Sequence, residues 1–223
     1  GTLNIVGADA SNTTAGGTVT GVLNVGTANT INATGSTPLT IAGITAATFN
    51  ASTYTGALII PVISQAADFA VITGGTAGDT FTSDADEDFS VNGGGGLDTL
   101  VLGANDYSNN TVTITSMETI DITASGVSLA GSHMHNSTAV ITGNAATDTL
   151  AINATTATGE TINISNTATT GVVTITGLAG SDNLTGSATT ATTFTGAAGS
   201  DTIVGGSGVD TVNVLLEAAA ADG

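Results

Sequence analysis

Four segments of this chain end a glycine-rich turn on an aspartate and place a β-forming residue two positions later. They are Gly93-Gly94-Gly95-Gly96-Leu97-Asp98-Thr99-Leu100, Gly177-Leu178-Ala179-Gly180-Ser181-Asp182-Asn183-Leu184, Gly196-Ala197-Ala198-Gly199-Ser200-Asp201-Thr202-Ile203 and Gly205-Gly206-Ser207-Gly208-Val209-Asp210-Thr211-Val212. Glycine reaches positive φ without steric cost, so such a turn bends its carbonyls inward. The aspartate adds a carboxylate at the turn's end. Hard oxygens in that number suit Ca²⁺, which takes six to eight of them. The spacing therefore predicts Ca²⁺ at Asp98, Asp182, Asp201 and Asp210.

The elements that position these turns follow from the same spacing. Each nine-residue unit divides into a turn and a short strand whose one large apolar residue points inward, as in a parallel β-roll. Two units complete a coil, so aspartates on one edge lie about eighteen residues apart. Asp79 to Asp98 is 19 residues and Asp182 to Asp201 is 19, while Asp201 to Asp210 is 9. A weaker unit ends at Asp79, with Ala77 replacing a glycine. Glu87 and Asp88 close an acidic run, 84–88, midway between Asp79 and Asp98, and are expected to form the middle turn of that coil and bind Ca²⁺. The unit over 186–195 is degraded, and Ala191 takes its aspartate place. Asp148, in a unit carrying Ala146, reads equally as a weak ligand turn or as a plain turn, where aspartate bonds its own backbone.

Three regions are expected. Residues 1–72 carry short strands separated by Gly, Ser, Asn and Thr, residues 73–105 the first Gly/Asp block, and residues 106–223 a longer solenoid ending in the second block, 177–214. An apolar ladder through Ile141, Ile152, Ile162 or Ile164, Val173 or Ile175, Leu184, Phe194, Ile203 and Val212 advances by 9 to 11 residues. Residues 215–221 read as a short helical cap. Val, Ile and Thr dominate, and all three favour strands. The fold class is all-β, a solenoid that grows by adding rungs around a thin core. An Asn/Thr ladder on the outer face would favour lateral packing; mere solubility is the preferred explanation of these residues.

Composition restricts partners. The chain has no Lys or Arg and 18 acidic residues, a formal charge of −18. Such a chain repels itself, and divalent ions are the natural counter-charge. Nothing is present to neutralise phosphate, so no nucleic-acid partner is expected. No apolar run reaches membrane-spanning length, so no membrane insertion is expected. Cysteine is absent, which fits an exported protein that uses metal in place of disulfides. His133 and His135 form an H-x-H pair that on a strand would share one face and hold Zn²⁺ or Cu²⁺; a polar loop is the preferred reading. Catalysis is not expected, because cationic anion-stabilising groups and Cys nucleophiles are missing.

The ordered set 72–79, 90–100, Met117-Glu118-Thr119-Ile120 and Ala130-Gly131-Ser132-His133 resembles the lattice region of RTX-type bacterial surface-layer (S-layer) proteins, Caulobacter-like, over roughly residues 70–214. The resemblance implies a β-solenoid with RTX-like calcium-binding turns. It implies secretion through a type I channel and calcium-dependent self-assembly outside the cell. Cell-surface polysaccharide would be engaged through regions outside this chain. By motif, the resemblance implies Asp79, Asp98, Asp182, Asp201 and Asp210 as the aspartate ligands, with the turn carbonyls of Gly93, Gly95, Gly177, Gly196 and Gly205 beside them. Two rival readings are an RTX adhesin and the non-catalytic β-roll of a secreted hydrolase. The end at Gly223 shows no clear secretion signal, so the chain is expected to be a fragment or a processed product.

Overall fold

A computed structural model describes residues 2–6, 17–63, 70–83, 88–103, 106–123, 125–135, 137–143, 148–167 and 172–214. The chain divides into two compact units, 1–123 and 124–223. Each is a β-solenoid of parallel strands.

Unit 1 begins with β1 (Thr2–Val6), β2 (Gly17–Thr34) and β3 (Leu39–Asn50), which pair in parallel. Shorter strands follow: β4 (Leu58–Ile63), β5 (Ala70–Thr73), β6 (Thr80–Ser83), β7 (Phe89–Asn92), β8 (Thr99–Leu102), β9 (Val112–Thr115) and β10 (Thr119–Ile122). The first half of β3 pairs with β4 and its second half with β5. From there strands alternate between two faces. β4, β6, β8 and β10 build one, and β5, β7 and β9 the other. Strands of the 1–72 region thus pair directly with those of the 73–105 block.

The side-chain period of two sets the core. Ile60, Phe81, Leu100 and Ile120 stack in register inside one face. Phe49, Ile72 and Val91 do so inside the other, and all seven are 0–1 % exposed. The residues between them point outward. On the second face they form two columns in register. One runs Thr2, Thr30, Thr48, Val71, Ser90, Thr113, and the other Asn4, Asn32, Asn50, Thr73, Asn92, Thr115. Asn32 Nδ2 donates to Asn4 Oδ1 at 3.2 Å, a rung of the expected ladder.

Unit 2 holds β11 (Val127–Ala130), a single helical turn α1 (Gly131–Met134), β12 (Val140–Thr142), β13 (Thr149–Asn153), β14 (Thr161–Asn163), β15 (Val172–Thr176), β16 (Asn183–Thr185), β17 (Thr192–Thr195), β18 (Thr202–Val204) and β19 (Thr211–Asn213). β11, β13, β15, β17 and β19 form one parallel sheet, and β14, β16 and β18 another. The expected apolar ladder is there. Leu129, Ile152, Ile175, Phe194 and Val212 share one column, and Ile162, Leu184 and Ile203 share a second. Burial ends with the last coil, where Val212 is 47 % exposed. The helical cap over 215–221 falls outside the described residues. No helix of the described residues is long and apolar enough to cross a membrane.

A thin core makes each rung's large side chain costly to remove. Phe81→Ala should lower unfolding free energy by about 3–5 kcal/mol in urea denaturation. Leu97→Ala, at a turn position 79 % exposed, should change it by less than about 0.5 kcal/mol. Equal losses would contradict the rung assignment.

Candidate metal centre

The register places the motif aspartates directly over one another. In unit 1 the column is Leu58, Asp79, Asp98, Glu118, each one coil further on. In unit 2 it is Glu160, Asp182, Asp201. Asp201 precedes β18 and Asp210 precedes β19, which lie in different sheets, so the nine-residue step moves from one edge of the coil to the other. Asp79 and Asp98 are likewise on one edge, and Asp88 precedes β7 on the opposite one. Glu87 lies outside the described residues.

The carboxylates in these columns accept hydrogen bonds from backbone amides in a repeated pattern. One oxygen takes the N–H of the preceding coil. Asp79 Oδ1 accepts from Leu58 N at 2.8 Å, Asp98 Oδ1 from Asp79 N at 2.8 Å and Glu118 Oε2 from Asp98 N at 2.7 Å. Asp182 Oδ1 accepts from Glu160 N at 2.7 Å and Asp201 Oδ1 from Asp182 N at 3.0 Å. The second oxygen takes an N–H of its own turn. Asp79 Oδ2 accepts from Gly75 N at 2.7 Å, Asp182 Oδ2 from Leu178 N at 3.0 Å and Asp210 Oδ2 from Gly206 N at 3.1 Å. Asp88 Oδ1 accepts from Thr111 N at 2.6 Å, one coil ahead. The carboxylate therefore takes over where the strand ladder stops at the turn, and the amide it satisfies would otherwise be orphaned.

This geometry explains the glycines. The first glycine of every motif lies five residues before its acid. A Cβ on Gly74, Gly93, Gly177, Gly196 or Gly205 would collide with the Oδ2 of the acid five residues later. At Gly93 it would also strike the carbonyl oxygen of Ser116, and at Gly74 that of Gly93. Two residues before the acid the backbone turns left-handed: Gly96, Gly180, Gly199 and Gly208 have φ of 107–127°. Ser116, two residues before Glu118, has φ of 51°. Gly95 donates its N–H to Gly75 O at 2.9 Å, and Gly177 donates to Thr195 O at 2.8 Å.

Three column members were not on the expected ligand list: Glu118, Glu160 and Thr192. Glu160 Oε2 accepts from Thr155 N at 2.8 Å. In the degraded unit the aspartate place belongs to Thr192, one residue after Ala191. Thr192 is in register with Asp210 and donates its N–H to Asp210 Oδ1 at 2.8 Å. Its Oγ1 accepts from Ser187 N at 3.1 Å, as an aspartate oxygen does elsewhere. The turn is one residue longer, which a fixed nine-residue count does not reveal. The 20-residue step from Asp98 to Glu118 and the 22-residue step from Glu160 to Asp182 were the available signals.

The histidine pair is not on a strand. His133 sits in the one-turn helix α1, and its Nδ1 accepts from Ala130 N at 3.2 Å. A helical turn does not keep residues two apart on one face. Among the described residues no group of three or more His, Cys, Asp or Glu side chains gathers to hold a metal. A cation at these turns would therefore draw on carbonyl oxygens as much as carboxylates.

Whether a cation fits differs from turn to turn. At Asp79, Asp182 and Asp210 both carboxylate oxygens already face amide hydrogens, which carry positive charge. At Asp98 only Oδ1 does. Asp98 is 1 % exposed, and its Oδ2 is a buried oxygen without a hydrogen-bond partner. It lies over Gly93, where the Ser116 carbonyl oxygen also converges. A buried, unsatisfied carboxylate oxygen facing a carbonyl is a donor set that suits a hard cation. Burial raises the Asp98 pKa to about 6; the Asp79 N–H bond opposes the rise, and the neighbouring Asp79 and Glu118 charges add to it. Burial also raises that of Asp79, against the hydrogen bonds from Gly75 and Leu58.

Comparison with protein-family models, curated proteins and solved structures finds no match. The residues themselves carry the functional argument.

Two outcomes test the site. Asp182→Ala leaves the Glu160 and Leu178 amides without their acceptor, at about 1–3 kcal/mol each. Asp182→Asn keeps one carbonyl acceptor and should lose about half as much, as read by chemical denaturation. Asp98 has a folded pKa above its ordinary value of 3.8. Its contribution to stability is thus fully present below pH 3.8 and lost as pH rises through about 6. In EGTA, Asp98→Asn should flatten the pH dependence of stability across that window. An unchanged pH profile would contradict the assignment.

Proposed function

We propose that this chain is a structural component of an extracellular surface layer that folds and self-associates in response to calcium. The observation that carries the reading is the stack of acidic side chains at the turns, with one buried oxygen at Asp98 unmet by any protein donor. Adjacent coils lie about 4.8 Å apart, so Asp79, Asp98 and Glu118 bring like charges close together. Without Lys or Arg, the chain offers no side-chain counter-charge beyond its two histidines.

Asp98 Oδ2 and the Ser116 carbonyl would hold the ion at this turn. Bound Ca²⁺ supplies the positive charge that the column lacks. The protein's own part is to fix the carboxylates by amide hydrogen bonds and to keep the turn closed around Gly93. Binding to the folded state alone stabilises it by mass action. Sites of extracellular grade, with affinities of about 10⁻⁴ to 10⁻³ M, stay empty in a cytosol and fill outside it. That supports export of the unfolded chain, through a type I channel in this reading, and folding on arrival.

Circular dichroism and light scattering during a Ca²⁺ titration, reversed with EGTA, test the proposal. The β signal and the scattering should both rise with Ca²⁺ and fall with chelation. Indifference of both to Ca²⁺ would sink it.

A further inference from the structure

Acids line the coil edges of this protein, and no Lys or Arg is present to pair with them. Among the described residues, the two outward columns on one extended face of unit 1 carry no charged side chain, and Asp88 stands at the edge of that face, before β7. The face is built by β1, the C-terminal halves of β2 and β3, and β5, β7 and β9, and it presents the two outward columns of Thr, Asn and Ser described above. The opposite face of the same unit carries Asp121 beside Val101. We propose that the Thr/Asn face is the surface on which a second copy of this chain packs. The inference rests on the self-association proposed above and names the surface that performs it.

Three observations favour a second copy as the occupant. The first is electrostatic. With a formal charge of −18 and no Lys or Arg, two copies meet at least Coulomb cost through columns without carboxylates, since like charges across an interface are strongly unfavourable. The second is the repeat. Six rungs in register present hydroxyl and amide groups every 4.8 Å or so along the stack. A β-stack with the same spacing matches that pitch over all six rungs, and another copy supplies one. Two such faces can meet as an isologous pair, each offering the same patch.

The third is preorganisation. Ser52 N donates to Asn50 Oδ1 at 3.1 Å, and Gly94 N to Asn92 Oδ1 at 3.1 Å. Both side chains are thus held before a partner arrives, which lowers the ordering cost of association. Val71, 36 % exposed at the middle of the array, adds an apolar contact among the hydroxyls.

The test uses the full chain in millimolar Ca²⁺, followed by sedimentation velocity. Thr113→Glu puts a charge on the exposed outer strand β9, where folding tolerates it, and Thr48→Glu puts one in the middle of the face. Thr82→Glu, on the opposite face, is the control. Circular dichroism confirms that each variant folds. Both face variants should weaken self-association by roughly tenfold or more, while Thr82→Glu associates as the unaltered chain does. Association of Thr113→Glu at unaltered strength would overturn the face assignment and leave the surface-layer reading intact. Equal loss in Thr82→Glu would also overturn it, as a general charge effect. An unaltered chain that stays monomeric at every Ca²⁺ concentration would remove the surface-layer reading itself. If that monomer bound insoluble polysaccharide and Thr113→Glu abolished the binding, the face would belong to a glycan and not to a second copy.

Discussion

The fold depends on a side-chain carboxylate accepting the amide hydrogen of the coil before it. A parallel solenoid bonds its strands through the backbone, but at each turn the chain leaves the ladder and an N–H loses its carbonyl. Asp79, Asp98 and Glu118 in one unit, and Asp182 and Asp201 in the other, meet that loss with an oxygen. Meanwhile Asp79 O accepts from Thr99 N and Asp182 O from Thr202 N, so neighbouring coils are bonded in both directions at the turn. An acidic side chain at one edge position thereby fixes register. The outward Thr/Asn columns and the inward apolar columns follow from it, because a slip of one residue would exchange the two faces.

The same device creates the molecule's electrostatic problem. Registered acids are stacked acids, and each is a like charge to the next. Amide hydrogens compensate where two reach one carboxylate, as at Asp79, Asp182 and Asp210. Compensation is incomplete at Asp98, where one buried oxygen has no partner. The raised pKa there expresses the same shortage. A proton below about pH 6, or a cation above it, would relieve it. Turns alike in sequence therefore differ in their need for a counter-charge.

Much of this was legible in the sequence. The 19-residue aspartate spacing and the apolar ladder predicted a two-strand coil, and Ile152, Ile175, Phe194 and Val212 stand in one column as a stacked ladder requires. What the motif hid is that the turn selects for geometry more than for residue type. At Asp98, Asp182, Asp201 and Asp210 it combines an oxygen acceptor, bare backbone five residues earlier and a left-handed residue two earlier, while Asp79 keeps only the first two. Glu118 with Ser116 meets the first and last of these, and Thr192 meets the first with a hydroxyl. Neither matches a Gly/Asp pattern. Donors one coil away in space are about twenty residues away in sequence, so the amide bonds that occupy the carboxylates leave no local trace. His133 and His135 failed as a strand pair because α1 interrupts the strand rhythm.

The most direct measurement is hydrogen exchange of individual backbone amides at neutral pH with Ca²⁺ present. The amides of Leu58, Asp79, Glu160, Asp182 and Thr192 belong to turns or strand edges, yet each donates to a carboxylate of the next coil. The account predicts that they exchange as slowly as the amides of the strands beside them. Exchange as fast as that of an unbonded surface loop would mean that the carboxylates are engaged elsewhere, and the clamp between coils would be wrong.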